Sequence, residues 1–154
     1  MLESPLQLLY IRSRLEYCAV VCHSTLTLEQ SNEIECVQKL SLKIIMGADY
    51  KDYEHALEIS GLDKLSERRE ARCLKFGLKS LLHPKHHKLF PVNPHVLSNT
   101  SLPNKEHFHV NWARTESYRI SAVPHIQRIL NTYVKNQKKW TDLFQFKHVN
   151  DDHV

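Results

Sequence analysis

The segment from residue 27 to residue 47, TLEQSNEIECVQKLSLKIIMG, constrains the fold strongly because it carries signals for both ends of a long helix. Thr27 is predicted to cap this helix, and Gln30 is expected to reach back to the Thr27 backbone N–H in a capping box. Gly47 is expected to end it. Its apolar residues recur at spacings of three and four and predict one stripe that packs on other helices. The stripe consists of Ile34, Val37, Leu40 and Ile44, with Cys36 and Ile45 beside them.

Composition favours a mainly α fold. The chain has 154 residues, of which 42% are hydrophobic and 25% charged, and these are ordinary values for one globular domain. Only three glycines occur, which suits helices better than a turn-rich β-sandwich. We therefore expect a small helical bundle of about four to five helices, with a long proline-containing connection and a polar C-terminal tail.

Shorter helices are predicted on both sides of the 27–47 segment. A first helix is expected over residues 4–21, and a short one within the acidic stretch 49–61, with Gly61 as its stop. A last short helix is predicted where Ser121 precedes Pro124, because proline suits the first turn of a helix. Its apolar stripe consists of Ile126, Ile129 and Leu130.

A second long helix is predicted after Leu62, with Ser66 or Asp63 as its cap. Its apolar stripe is expected to be Ala71, Leu74, Leu78, Leu81 and Leu82. With these helices in place, the chain divides into four predicted parts. They are a helical module over 1–82, an extended connection over 83–112, a C-terminal helix segment over 113–135 and a tail over 136–154. The connection is expected to be either a surface strap or a linker between subdomains.

The second long helix also carries a basic stripe. Its cations recur at spacings of four, three and four, which places them along one side of the helix. Solvated charges on a helix exterior explain such a stripe, because this is where most charged residues lie. A line of cations that tracks the phosphates of a polyanion also explains it. The stripe consists of Arg68, Arg72, Lys75 and Lys79.

Several kinds of chemical site lack support in the sequence. Cys18 and Cys22 lie four residues apart with His23 next, but no second Cys or His pair follows at zinc-finger spacing, so no metal site is predicted. The cysteines and histidines lack the sequence context of an activated nucleophile. The few glycines do not form a phosphate loop or a dinucleotide fingerprint. The adjacent carboxylates Asp151 and Asp152 lie in the tail, away from any rigid element. We predict no catalytic residue, no cofactor and no small-molecule ligand.

The compartment is predicted from the ends of the chain and from the cysteines. Acidic Glu3 stands near the start, and Arg12 and Arg14 interrupt the first apolar run, so neither a secretory signal nor a membrane span is expected. The four cysteines fall in predicted helices rather than in a disulfide-rich pattern. An intracellular location, in the cytoplasm or the nucleus, is the resulting expectation.

Four blocks of the sequence, in order, resemble a known family. They are LEYCAVVCHSTLTLEQSNEIECVQKLSLKIIMG, YKDYEHALEISGLDKLSERREARCLKFGLKSLLHP, LFPVNP and HVNWARTESYRISAVPHIQRILN. This order is similar to the C-terminal region of reverse transcriptases of non-LTR retrotransposons, of the jockey-like kind with an upstream endonuclease. The resemblance runs from about residue 8 to residue 131. Cys22 stands where the family has a tryptophan in the first connection, and the resemblance therefore implies a packing position for Cys22.

The resemblance implies a thumb-like helical module that grips the template and primer of an RNA-directed DNA polymerase. The family's aromatic residue followed by two catalytic aspartates has no equivalent here, since the run from Gly47 to Tyr50 is only superficially similar. The implied partners are an RNA–DNA or DNA duplex and the missing palm domain. Alternatively, the chain is a structural remnant or a protein-interaction module with an exposed apolar face. The expected phosphate contacts are the basic stripe together with Lys39, Lys43, Arg114 and Arg119.

Overall fold

The computed structural model describes residues 10–97 and 106–136, and this part of the chain is mainly helical. Predicted features in residues 1–9, 98–105 and 137–154, including most of the tail, lie outside the described residues. The described helices are α1 (residues 10–15), α2 (Ala19–Cys22), α3 (Leu28–Met46), α4 (Tyr53–Ser60), α5 (Leu65–Leu82), α6 (Pro94–Leu97), α7 (Glu116–Arg119) and α8 (Ala122–Asn136). Single 3₁₀ turns lie at His23–Thr25, Gly47–Asp49 and His87–Leu89.

The chain forms two compact units, residues 1–72 and residues 73–154. The division falls inside α5, ten residues before the boundary at 82 that the sequence predicts. The first unit contains the helices up to the middle of α5, and the second contains the remainder of α5 and all later elements.

The ends of α3 confirm the prediction made from the sequence. The Thr27 hydroxyl accepts the backbone N–H of Gln30 at 3.2 Å, and the Gln30 side chain accepts the N–H of Thr27 at 3.0 Å. Gly47 ends the helix with φ of 55°, a left-handed value that glycine adopts at little cost. Both ends are thus fixed by local contacts.

The predicted buried stripe of α3 is wrong. Val37, Leu40 and Ile44 expose 46%, 59% and 71% of their surface. The helix instead buries the adjacent face, which carries Leu42 and two polar residues, Gln38 and Ser41. Polar groups on this face make hydrogen bonds: Ser41 donates to the Val37 carbonyl at 2.7 Å, and the Gln38 amide donates to the Tyr53 hydroxyl at 2.9 Å. Gln38 also donates to the Asp63 carbonyl at 3.3 Å.

A small core joins α3 and α4 in the first unit. Leu42 packs with Tyr53, Ala56 and Leu57. The Asp52 carboxylate caps α4 by accepting the His55 N–H at 2.8 Å, and Gly61 ends the helix in the left-handed conformation, as predicted.

The first turn of α5 has a cap from another helix. Both carboxylate oxygens of Glu35 accept the backbone N–H of Leu65, at 3.1 and 3.2 Å. Glu35 also accepts the Tyr53 hydroxyl, and burial followed by this hydrogen bond raises the pKa of Tyr53. The prediction that Ser66 or Asp63 caps α5 is therefore wrong. Ser66 lies inside the helix, and the oxygens that accept its first N–H group belong to Glu35 on α3.

The predicted first helix is interrupted. Residues 10–15 are helical, a turn follows, and α2 begins only at Ala19. Cys18 at the break has φ of 55°, a conformation that non-glycine residues adopt at a cost.

The buried side of α5 also differs from the prediction. Ala71 and Leu82 are exposed, and Leu74, Leu78 and Leu81 are half-buried. In the second unit this helix approaches α8 at Gly77, where an added Cβ would lie 2.7 Å from Cγ2 of Ile126. A glycine permits this approach because it has no side chain. The buried side of the helix consists of Leu65, Arg69, Cys73, Gly77 and Ser80.

Part of the predicted surface connection lies in the core of the second unit. Phe90 and Phe108 are fully buried, and Val92 forms an isolated antiparallel bridge with Phe108. Asn131 of α8 holds Phe108 by both backbone groups, since its Oδ1 accepts the N–H at 2.7 Å and its Nδ2 donates to the carbonyl at 3.0 Å. Gln127 donates to the Leu89 carbonyl at 3.0 Å. The last helix is longer than predicted, and it buries Ile126 and Leu130 as expected.

Candidate nucleic-acid interface

Two cations of the predicted stripe are paired inside the first unit. Arg68 Nε and Arg72 Nη2 contact the two carboxylate oxygens of Glu16. The Glu16 side chain is only 1% exposed, whereas both guanidiniums reach solvent. A buried carboxylate needs counter-charges, so Arg68 and Arg72 have a structural reason for their position that requires no ligand.

A third arginine joins this group. Arg12 Nε lies 3.7 Å from Glu16 Oε1, one helical turn away in the chain. Burial and the nearby Arg68 lower the pKa of Arg12, and the Glu16 carboxylate opposes that shift. We call Arg12, Glu16, Arg68 and Arg72 the ionic cluster.

The other two cations of the stripe belong to the second unit. Lys75 and Lys79 lie four residues apart on α5, and both are exposed. Neither makes an ion pair with a described residue. Their ammonium groups are therefore available to a phosphate in a way that Arg68 and Arg72 are not.

Lys39 and Lys43 lie on α3 in the first unit and are exposed. Lys39 Nζ stands 5.0 Å from the centre of the Tyr53 ring, a distance that allows a cation–π contact. These two lysines repeat the spacing of Lys75 and Lys79 in a more acidic part of the chain.

Arg114 and Arg119 lie near α7 in the second unit, and their surroundings differ. Arg119 forms a two-point ion pair with Glu116, in which Nε donates to Oε2 at 2.6 Å. This hydrogen bond lowers the pKa of Glu116 and raises that of Arg119. Arg128 donates to the backbone carbonyl of Arg119. Arg114 is exposed and makes no ion pair within the described residues.

The two units carry opposite formal charges. Residues 1–72 have nine Lys and Arg against twelve Asp and Glu, a charge of −3. Residues 73–154 have twelve against five, a charge of +7, and together they account for the +4 of the chain. In the described part of the second unit, Glu106 and Glu116 are the two acids beside eight bases. A polyanion would therefore be attracted to the second unit.

The thiols and imidazoles form no metal cluster in the described ranges. Cys18, Cys22 and Cys36 are exposed and Cys73 is buried, so Cys22 does not have the packing position expected for it. The rings of His83 and His86 stack with centres 4.3 Å apart. Across residues 10–97 and 106–136, no three His, Cys, Asp or Glu residues are grouped in a way that could hold a metal ion.

Glu16 is the residue of this region that the sequence did not indicate. Its spacing of four from Arg12 is a local signal of an ion pair, but Arg68 and Arg72 lie more than fifty residues away. Their approach becomes visible only in the folded structure.

Within the described part of the chain, no helix has the length and apolar character needed to cross a membrane. No protein-family model, curated protein or solved structure matches this chain.

Proposed function

We propose that this chain is a thumb-like region of a non-LTR retrotransposon reverse transcriptase, and that the basic surface of its second unit binds the phosphates of a nucleic acid. The observation that carries the phosphate-binding part is the separation of the cations into two groups. Arg68 and Arg72 neutralise Glu16, while Lys75 and Lys79 are exposed in a unit of charge +7. The order of the four sequence blocks supports the family, and the mainly helical fold agrees with it.

Phosphate contacts of this kind bind without reading sequence. Lysine ammonium groups supply point charges, and their contacts release counterions from the nucleic acid. Affinity should therefore fall steeply with salt and vary little with base sequence. Catalysis is not part of the proposal, because the polymerase aspartates have no counterpart among the residues of this chain.

Charge reversal of matched lysine pairs tests the phosphate-binding part of the proposal. Lys75→Glu with Lys79→Glu should weaken binding to an RNA–DNA duplex at least tenfold and reduce the slope of log affinity against log salt by about two. Lys39→Glu with Lys43→Glu has the same spacing, exposure and charge change on α3, and should weaken binding less. Fluorescence anisotropy with a labelled duplex measures both, from low to physiological salt.

Two results would overturn the phosphate-binding part. One is an absence of duplex binding by the natural chain at low salt. The other is an equal loss of affinity in the two double variants, which would mean that the overall charge of the chain matters and the second unit does not.

The exposed stripe on α3 favours a second candidate function, that of a protein-interaction module. Val37, Leu40 and Ile44 follow one another at spacings of three and four, and all are exposed. Such a stripe is the pattern by which one helix packs on another. Sedimentation at increasing concentration, with and without Leu40→Ser and Ile44→Ser, tests it: association that these changes abolish supports this candidate, and a monomer at all concentrations contradicts self-association through this stripe.

A further inference from the structure

Trp112 is the most exposed of the large apolar side chains in the described residues, with 83% of its surface accessible. It belongs to the second unit, in the segment between the buried Phe108 and helix α7. An indole is expensive to leave in water, because burying an aromatic side chain is strongly favourable. An exposed indole does offer a flat aromatic face on which a ligand can pack.

The backbone on either side of Trp112 is held in place. On one side, Asn131 binds both backbone groups of Phe108, and the His109 N–H donates to the Pro91 carbonyl at 2.9 Å. On the other side, the Thr115 hydroxyl caps α7 by accepting a backbone N–H at 3.4 Å. Helix α7 is in turn joined to α8, because Arg128 donates to the backbone carbonyl of Arg119. The indole therefore projects from a segment that has hydrogen-bonded residues on both sides.

Contacts next to Trp112 add a second aromatic residue. The Asn111 amide donates to the Tyr118 hydroxyl at 3.4 Å, and the Tyr118 ring is partly exposed. Arg114, two residues after the tryptophan, is exposed. The exposed residues within two positions of Trp112 in the sequence are therefore Asn111 and Arg114, one polar and one cationic.

The exposed indole and the nearby cation in the sequence indicate which class of ligand would bind here. A protein or lipid surface that buries an indole normally meets a continuous apolar patch, whereas the residues beside Trp112 are Asn111, the small Ala113 and Arg114. An aromatic face next to a cation is the arrangement that binds single-stranded nucleic acid, because a base stacks on the ring and a phosphate meets the charge. The unit's charge of +7 favours the same partner.

We infer that Trp112 stacks on an unpaired base of a single-stranded segment, while Arg114 meets an adjoining phosphate. The inference rests on the proposed function, since it assigns a second mode of contact to the same basic unit. Bases inside a duplex are already stacked on their neighbours. Trp112 therefore contacts the unpaired bases of single strands, whereas Lys75 and Lys79 contact the phosphates of either form.

The test compares single-stranded and duplex binding of the full chain. Trp112→Ala should weaken binding of a labelled 12-nucleotide oligothymidylate by about 5- to 100-fold, and leave binding of a blunt duplex of equal length within about twofold. Trp112→Phe should retain part of the affinity, because a smaller ring still stacks. Tyr17→Ala is the matched control, since Tyr17 is 79% exposed in the acidic unit, and it should change neither affinity.

A second measurement reports on the indole directly. In a Trp140→Phe background, Trp112 is the sole tryptophan, and its emission should be quenched when the oligothymidylate binds. The circular dichroism spectra of Trp112→Ala and Tyr17→Ala should match that of the natural chain, because both rings are largely exposed.

The outcomes separate the two proposals. Equal losses for single strand and duplex in Trp112→Ala, or no loss in either, overturn the stacking inference while duplex binding still supports the proposed function. No binding of either nucleic acid at low salt overturns both. A change in Trp112 emission with phosphatidylserine vesicles but not with the oligonucleotide assigns the ring to lipid headgroups and also overturns the inference.

Discussion

The two units of this chain use charge in opposite ways. The first has a formal charge of −3 and buries ions: Arg12, Glu16 and Arg69 are all enclosed. The second has a charge of +7, and its described buried polar side chains are neutral, namely Ser80, Gln127 and Asn131. Cations in the acidic unit are thus partly committed to its interior, whereas those of the basic unit lie mainly on the surface. Net charge alone says little about which cations a ligand can reach.

The largest expected effect comes from removing the central carboxylate of the first unit. Glu16→Gln should lower the free energy of unfolding by about 3 kcal/mol, because three arginines lose their counter-charge. The value is at the low end for a buried ion pair because Arg68 and Arg72 reach solvent. Urea unfolding followed by circular dichroism measures the free energy of unfolding. The control is Glu33→Gln, which makes the same substitution at an exposed carboxylate on α3 and should change that free energy by no more than about 0.5 kcal/mol.

If Glu16→Gln and Glu33→Gln destabilise equally, the ionic cluster does not hold the first unit together. Hydrogen exchange localises the effect. Exchange should accelerate in peptides from residues 10–22 and 65–72, which contain the members of the ionic cluster.

A somewhat smaller effect is expected from the neutral amide of the second unit. Asn131→Ala should cost about 2 kcal/mol, because it removes side-chain partners from two buried backbone groups of Phe108. Hydrogen exchange should accelerate in peptides of the second unit that cover residues 106–136. Asn136→Ala, at the exposed end of the same helix, is the control and should leave exchange at Phe108 unchanged. Faster exchange at Phe108 in both variants would contradict the role given to Asn131.

The smallest expected effect is the pH dependence of stability that one histidine gives to each unit. Burial lowers the pKa of His107 from 6.5, so the fold favours its neutral form. The unfolded chain then takes up the proton first as pH falls through 6.5, and stability contributed by this group is lost below that pH. His107→Gln should therefore flatten the pH dependence of the opening free energy around Phe108 between pH 7.5 and 5.5, as obtained from hydrogen-exchange rates divided by the intrinsic rate at each pH.

His23→Gln provides the comparison in the first unit. Burial, and then Arg69, lower the pKa of His23, so the same loss of stability at low pH is expected there. Each substitution should flatten the pH dependence of its own unit. A pH dependence around Phe108 that His107→Gln leaves unchanged would show that another group is responsible.

Local features of the fold could be predicted from the sequence. The capping box at Thr27, the stop at Gly47 and the stop at Gly61 are each set by residues within one turn of the helix end. Such signals are readable because backbone geometry and neighbouring side chains decide them. The mainly helical class follows from the same signals.

The buried faces could not be predicted in the same way. Apolar spacing on α3 favours Val37, Leu40 and Ile44, yet the covered side contains Gln38. The Gln38 amide nitrogen has hydrogen-bond acceptors in Tyr53 and Asp63, which are distant in the sequence. Hydropathy alone would place a glutamine on the exposed side of the helix. Glu16 poses the same problem for the basic stripe, since its effect on Arg68 and Arg72 depends on contacts between distant segments.

The contact between Glu35 and Leu65 has a consequence for the order of folding. It joins residues thirty positions apart, so the first turn of α5 acquires its cap only after the chain between them has closed. A peptide with the sequence of α5 alone lacks these oxygens, and its first turn would fray. The start of the helix that carries the basic stripe is therefore a late, long-range product of folding, whereas the capping box of α3 can form within its own first turn.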